Sequence, residues 1–388
     1  MIKIDSDFPG GNIKFITIED DEVVITPDLR DTEGHWFWWY FRVTGASDEE
    51  IRFVFASPGT IGTNGIAVSL DGGESWSWHE DVSHGAGWIP DSFTYRIPKD
   101  LDEHVGIRFA FAIPYTQSHL NAFLSQFEDN PFLTRHVLCK SNQNRQVPYF
   151  LVGNQGSSPD FRVLLAARHH ACESPANYVL EGIIEAIASP DEPNDPRKGA
   201  LAKWFQEHVQ VLVIPFIDAD GVENGDQGKN RKPWDHNRDY GTKTIYPEVK
   251  AVKELIPRWA REGLDISLDV HAPGRTDDFF HMVGQKDPEQ WKQLTLFSNI
   301  LAKISRENGS ALVMDTSKNV QWGTGWNKMG TTGIQRSHSS WIGTLGIARL
   351  YTTIEIPYGT VLDAPITPER LREFGHDVVE AFKEYLEG

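Results

Sequence analysis

Residues 162–174 read RVLLAARHHACES, and this stretch decides how the chain folds. It starts as a short apolar run, Val163 to Ala167, and passes with no spacer into Arg168, His169, His170, Ala171, Cys172 and Glu173. A run of that length bounded by polar residues reads as a buried strand. Ser174-Pro175 follows, an N-cap residue and a first-turn proline, so a helix is expected from 175 onward. The reactive residues thus occupy a turn between strand and helix. In open α/β sheets that is where ligands sit, at the carboxyl ends of the strands.

Working outward, the same design recurs. VQVLVIPFI (209–217) leads into Asp218-Ala219-Asp220-Gly221, LDISLDV (264–270) leads into His271, and ARLYTTIEI (348–356) carries Glu355 near its end. YFLVG (149–153) is a further apolar run. Helical spacing of apolar residues predicts helices near 175–188, 197–208, 246–262, 287–308 and 367–386. The last carries Leu371, Phe374, Val378 and Phe382 as a core-facing stripe. Strands alternating with helices predict a mixed α/β sheet flanked by helices, in a domain spanning 116–388. Residues 116–140 read as a helical connector.

Upstream, residues 1–115 read as an all-β sandwich domain. Short runs recur between Gly, Asp and Pro: EVVITP (22–27), HWFWWYFRVTG (35–45), IRFVFAS (51–57), IAVSL (66–70), SFTYRI (92–97) and VGIRFAFAIPY (105–115). From 36 to 41 both alternating faces are aromatic, so this strand is expected to be buried on both sides, against a second domain. A carbohydrate platform is the weaker reading of the same aromatics. SLDGGESW (69–76) fits a box found in sialidase hairpins, but one copy is expected to be a tight turn.

The 388 residues are 39% hydrophobic and 24% charged, which suits a globular chain with a core. A net charge of −18 argues against nucleic acid as a partner, because such binding needs a basic footprint. Two cysteines, Cys139 and Cys172, make no disulfide framework. The start MIKIDSDFPGGN lacks the basic and apolar regions of a secretory signal, and no window of about 18 apolar residues spans a membrane. The expectation is a cytoplasmic protein; its oligomeric state is not readable.

His170 and Glu173 are spaced H-x-x-E, and His271 comes from another strand end. Two imidazoles and a carboxylate with a fourth position open are the donor set of a catalytic zinc site. His169 is a rival ligand with the wrong spacing to Glu173. Glu355, a carboxylate in an apolar strand, is costly there unless paired or used, and is the candidate general base. The polar loop 218–240 carries Arg231, Asn237 and Arg238, which together suit a carboxylate. Cys172 has no free base beside it and reads as inert.

The order H-x-x-E, N-R, D-x-H and a strand glutamate resembles the zinc carboxypeptidase A/B family. FPGGNIKF (8–15), LRDTEGHWFWWYFRVTG and AIPYTQSHLNAFL (112–124) resemble its cytosolic carboxypeptidase branch, and the likeness covers nearly the whole chain. The resemblance implies one zinc ion on His170, Glu173 and His271, Arg231 as the oxyanion group, Asn237 and Arg238 as a clamp on the substrate's terminal carboxylate, and Glu355 as base. The implied substrate is a peptide or protein C-terminus. The family often has a mobile tyrosine before the glutamate strand; 324–350 contains none, leaving His338, Trp341 or Tyr358 as stand-ins. Arg336 and Lys328 lie in the loop that shapes the family's side-chain pocket, and a cation there implies a preference for acidic C-termini. Two other functions fit the same residues: a zinc amidohydrolase acting on a small N-acyl substrate, and a binding module on a silent enzyme fold.

Overall fold

Strands that read as unbroken apolar runs are those covered on both faces. The computed structural model describes every residue except 1, 20–21, 103–104, 190–195 and 329–332. Seven strands form its central sheet in the order Leu133–Lys140, Gln146–Gly153, Val209–Ile214, Phe161–Ala167, Leu264–His271, Ala348–Glu355, His281–Val283. The four from Val209–Ile214 to Ala348–Glu355 run parallel. Antiparallel pairs close both edges, so the sheet is mixed.

Alternation along each strand divides the core. Val163, Leu165, Val211 and Val213 face the side covered by helices Pro175–Ala188, Pro196–His208, Pro288–Glu307 and Pro368–Glu387. Leu164, Ala166, Leu212 and Ile214 face the opposite side, under Pro247–Trp259 and His338–Leu345. Each buried aliphatic side chain stabilises by about 1.5–3 kcal/mol relative to exposure. Helices Pro175–Ala188 and Pro368–Glu387 approach so closely that a Cβ on Gly182 would lie 2.1 Å from the Arg372 carbonyl oxygen, and one on Gly375 2.4 Å from that of Val179. That crossing fixes the helix that follows the H-x-x-E turn.

Two expectations need correction. Residues 116–140 are helical only over Gln117–Leu124 and a short turn at Ser125–Phe127; Leu133–Lys140 is an edge strand. Its residues are mostly exposed, so it lacks the apolar signal of its neighbours. Ser174 does stand at the N-cap with Pro175 inside the first turn, but its backbone is already helical (φ −57°, ψ −33°) and its hydroxyl caps nothing.

The N-terminal strands make two five-stranded sheets, ordered Lys3–Asp5, Tyr40–Thr44, Ile107–Ala110, Ile66–Ser69, Ser77–His79 and Lys14–Glu19, Glu22–Thr26, Glu50–Phe55, Ser92–Arg96, Val82–Ser83. Phe41 and Phe109 of the first meet Phe53 and Phe93 of the second at ring distances of 5.3 to 5.5 Å. Regular pairing of the aromatic stretch begins only at Tyr40, yet Phe37 to Phe41 are all buried, and Phe37 packs on Tyr358, which follows strand Ala348–Glu355 of the central sheet. Buried rings are no carbohydrate platform. The hairpin box is structural: the Asp71 carboxylate accepts from Ser69 Oγ and from the Glu74 and Ser75 amides, and those bonds hold it down at about 2. No helix among the described residues is long and apolar enough to cross a membrane.

Candidate metal centre

His170 and Glu173 lie in the turn after Phe161–Ala167, where the Glu173 amide donates to the His170 carbonyl (3.3 Å) and turns both side chains one way. His271 ends the adjacent parallel strand. His170 Nδ1 lies 2.9 Å from Glu173 Oε1, His271 Nδ1 lies 2.8 Å from Glu173 Oε2, and the two Nδ1 atoms are 3.2 Å apart. Donor atoms of all three fall within 4.8 Å of one another, close enough together to hold a metal ion. Glu173 is buried, which opposes its charge, yet Lys229 and the two imidazoles keep it well below the usual carboxylate range.

The residues behind these three orient them. His271 Nε2 sits 2.8 Å from Asp269 Oδ2 and Nδ1 the same distance from Glu173 Oε2; with a metal ion at Nδ1, the Asp269 carboxylate, which only accepts, would hold the proton on Nε2 and leave the Nδ1 lone pair to the ion. Asp269 and His271 are two apart on one strand and share a face. Asp235 Oδ1 stands 3.7 Å from His170 Nε2 in the same supporting place. Arg168, fully enclosed and at φ +59°, folds its guanidinium back onto the Ala171 carbonyl, the Tyr115 carbonyl and Asn177 Oδ1, and so ties down the turn between the histidines and the helix. Asp269 enters the sequence reading only as the first residue of D-x-H, with no role of its own, and Asp235 does not enter it. The i, i+2 spacing of Asp269 and His271 was a usable signal; Asp235 had none.

His169 is directed elsewhere: Nδ1 meets Asp269 Oδ1 and Nε2 meets the Tyr240 hydroxyl, each at 2.8 Å. His169, Asp269 and His338 form a second buried group with close donor atoms. In it Asp269 is already engaged by two imidazoles, and burial keeps His338 neutral, with its proton affinity lowered to about 3. Cys172 is buried between the first pair of ligands, where burial raises its thiol, with Sγ 3.5 Å from the Tyr358 hydroxyl.

Glu355 is in register with His271 on the neighbouring parallel strand and with His281 on its other side. It remains partly accessible. Enclosure raises its carboxyl, with Glu173 adding to the effect and His271 opposing it. Asn237 approaches the trio: its Nδ2 is 3.3 Å from His271 Nε2, and its Oδ1 accepts from the His338 amide (3.0 Å). Arg238 and Arg336 are drawn together by the Arg336 amide donating to the Arg238 carbonyl (3.1 Å). The remaining loop residues 329–332, within the tyrosine-free segment 324–350, lie outside the described residues. His338, Trp341 and Tyr358 are all buried, Tyr358 against Phe37 and Phe111, so none of them is poised as a surface flap.

Arg231 is where the structure departs most from expectation. Its guanidinium is spent on three carboxylates: Nη1 on Asp218 Oδ2 (2.6 Å), Nη2 on Asp226 Oδ2 (2.6 Å) and Nε on Asp31 Oδ2 (3.0 Å). Among the described residues it makes no ion pair with the trio. Two residues away, Lys229 has different partners. The cation at the trio is Lys229, whose Nζ donates to Glu173 Oε1 (2.8 Å).

The sequence profile of the cytosolic carboxypeptidase N-terminal domain matches residues 4–64. Cytosolic carboxypeptidase 6 of Caenorhabditis elegans is 25% identical over 353 residues, covering 82% of this chain and 73% of that protein. Cytosolic carboxypeptidase 2 of Mus musculus is 24% identical over 425 residues, covering 99% of this chain but 46% of its own length. Among solved structures, a metallo-carboxypeptidase from Burkholderia cenocepacia superposes with a TM-score of 0.81 at 19% identity, covering 100% of this chain and 99% of that one. A metallo-carboxypeptidase from Pseudomonas aeruginosa, in complex with (2-guanidinoethylmercapto)succinic acid, gives 0.79 at 20% identity over 99% of both chains.

Proposed function

We propose that this chain, which belongs to the metallo-carboxypeptidases and among them to the cytosolic carboxypeptidases, removes residues from the C-termini of peptides or proteins using zinc held by His170, Glu173 and His271. The observation that carries the reading is the convergence of those three side chains beside Glu355 at the ends of three neighbouring parallel strands. Two imidazoles and a carboxylate fit zinc, and Asp269 sets the tautomer that such a ligand needs. When bound, zinc supplies Lewis acidity on the open side of the trio.

The chain's own residues do the rest. Glu355 takes a proton from the attacking water as the water oxygen bonds to the scissile carbonyl carbon. The same carboxyl then delivers that proton to the amine as the C–N bond breaks. Asn237 and Arg238 register the terminal carboxylate, so the last peptide bond alone is presented. Arg336, joined to Arg238 by a backbone hydrogen bond, supplies the cation that would favour an acidic last side chain. Residues 1–115 serve as the N-terminal unit and 116–388 as the catalytic unit. The relatives' cytosolic naming supports a cytoplasmic site of action.

The test is release from a peptide library with varied C-termini, read by mass spectrometry. Single residues lost from the C-terminus, Glu faster than Phe, are expected. Equal rates for Glu and Phe would remove Arg336 from the account. Cleavage of small N-acyl amino acids without any peptide trimming would replace the peptidase with an amidohydrolase.

A further inference from the structure

We propose that Lys229 is the cation that stabilises the oxyanion in this reaction, and that the N-terminal sandwich holds it in position; the inference rests on the metallo-carboxypeptidase reading above. The ammonium stands between the strand end and the ligand turn, donating to Glu173 Oε1 at 2.8 Å and to the Ala272 carbonyl at 3.2 Å, next to His271. Its third side lies over the Trp36 ring, 5.5 Å from the centroid. The side chain is only 12% exposed. Among the described residues it is the one lysine or arginine ion-paired to a member of the trio. Arg231 is consumed by its three aspartates, and Arg168 is consumed by the turn it braces.

The loop carrying Lys229 is pinned from both sides. On the catalytic side the Cys172 amide donates to the Gln227 carbonyl (3.2 Å). Gly228, at φ +74°, passes so near the ligand turn that a Cβ would lie 2.1 Å from the Ala171 nitrogen. On the sandwich side Gln227 Oε1 accepts from the Trp38 amide and Gln227 Nε2 donates to the Trp38 carbonyl, both at 2.7 Å. Asn230 Nδ2 donates to the Glu33 carbonyl (2.8 Å), and Arg30 pairs with Asp226 (2.5 Å). Every residue flanking Lys229 is therefore fixed by a partner that precedes residue 40 or belongs to the ligand turn. A long flexible lysine gains a defined position from that frame.

The chemistry needs a donor there. As water attacks, the carbonyl π pair moves onto oxygen, and the negative charge grows on an atom that sits by the trio. Lys229 donates an N–H to that oxygen and keeps its own proton throughout; the proton that moves goes from water to Glu355 to the leaving amine. A donor placed where charge develops acts more strongly in the transition state than in the ground state.

The experiment compares wild type, Lys229→Met and Lys229→Arg as full-length, zinc-reconstituted protein. Four quantities are read: zinc affinity by chelator competition, kcat and KM on a trimmed peptide, affinity for a phosphonate peptide analogue that mimics the tetrahedral anion, and affinity for the free product. Lys229→Met is expected to bind zinc within a few-fold of wild type and to keep KM and product affinity. Its kcat falls roughly 10²–10³-fold and its phosphonate affinity falls in parallel. Lys229→Arg restores part of both. Weakened zinc binding with kcat recovered at saturating zinc would make Lys229 a mere neighbour of Glu173 and overturn the proposal, as would undiminished phosphonate affinity. A wild type that binds zinc but neither trims peptides nor binds the phosphonate would instead overturn the peptidase reading on which the proposal stands.

Discussion

The ligand turn 168–174 and the loop 226–238 border the same corner of the central sheet, but they are built in opposite ways. The turn is local: strand, four reactive residues and helix follow one another, and Arg168 braces it through Ala171 and Asn177, within ten residues. The loop is held from afar. Gln227 is bonded to Trp38, Asn230 to Glu33 and Arg231 to Asp31, partners some 190–200 positions earlier in the chain. A locally determined site can be read from spacing. A site shaped by distant partners takes its meaning from them, and on this loop two cations two residues apart carry different duties: Lys229 meets the trio while Arg231 neutralises buried aspartates.

That contrast can be broken at several points. The largest effect belongs to the turn's side of the corner. Glu355→Gln is expected to bind zinc normally and to lose turnover by about 10²–10⁴-fold. Steady-state kinetics beside metal analysis checks this, and retention of a tenth or more of the activity would remove Glu355 as base.

Next in size is Arg231→Met. Removing the guanidinium leaves Asp218 enclosed without its cation and Asp226 with Arg30 alone, so stability in urea should fall by about 3–5 kcal/mol. An unchanged denaturation midpoint with lost turnover would return Arg231 to the substrate and erase the distinction from Lys229.

Asp269→Asn should weaken zinc binding about 10–100-fold, because the asparagine no longer fixes the His271 tautomer as a carboxylate does. Chelator competition measures it; unchanged affinity would mean the support behind His271 is dispensable.

The smallest effect is a pH trend. Burial works to raise the Asp218 carboxyl, but Arg231 and His236 pull it below its ordinary range. A depressed folded value contributes stability that is fully present above the unfolded value, near 4, and is lost as pH falls through the folded one. The stability gap between wild type and Arg231→Met should therefore narrow below about pH 4. A gap that widens on acidification would contradict the assigned pairing.

Legibility followed the same division. The parallel strands, the five long helices and the metal trio were visible because each is announced by short-range pattern: apolar runs, helical spacing, H-x-x-E, a histidine at a strand end. The edge strand Leu133–Lys140 was missed because an edge exposes most of its side chains and loses the apolar signature. The pairing of Arg231 was not legible because nothing in the order K-N-R tells which side chain turns toward Glu173; three carboxylates, one of them in the sandwich, hold Arg231. Asp235 gave no sign because its link to His170 crosses two loops.

The central claim is that His170, Glu173 and His271 hold a zinc ion, and elemental analysis of the purified full chain beside His271→Ala tests it most directly. About one zinc per chain in wild type, lost in the variant while circular dichroism shows the fold retained, is the result the account predicts. Wild type without zinc, or a variant that keeps it undiminished, would contradict it.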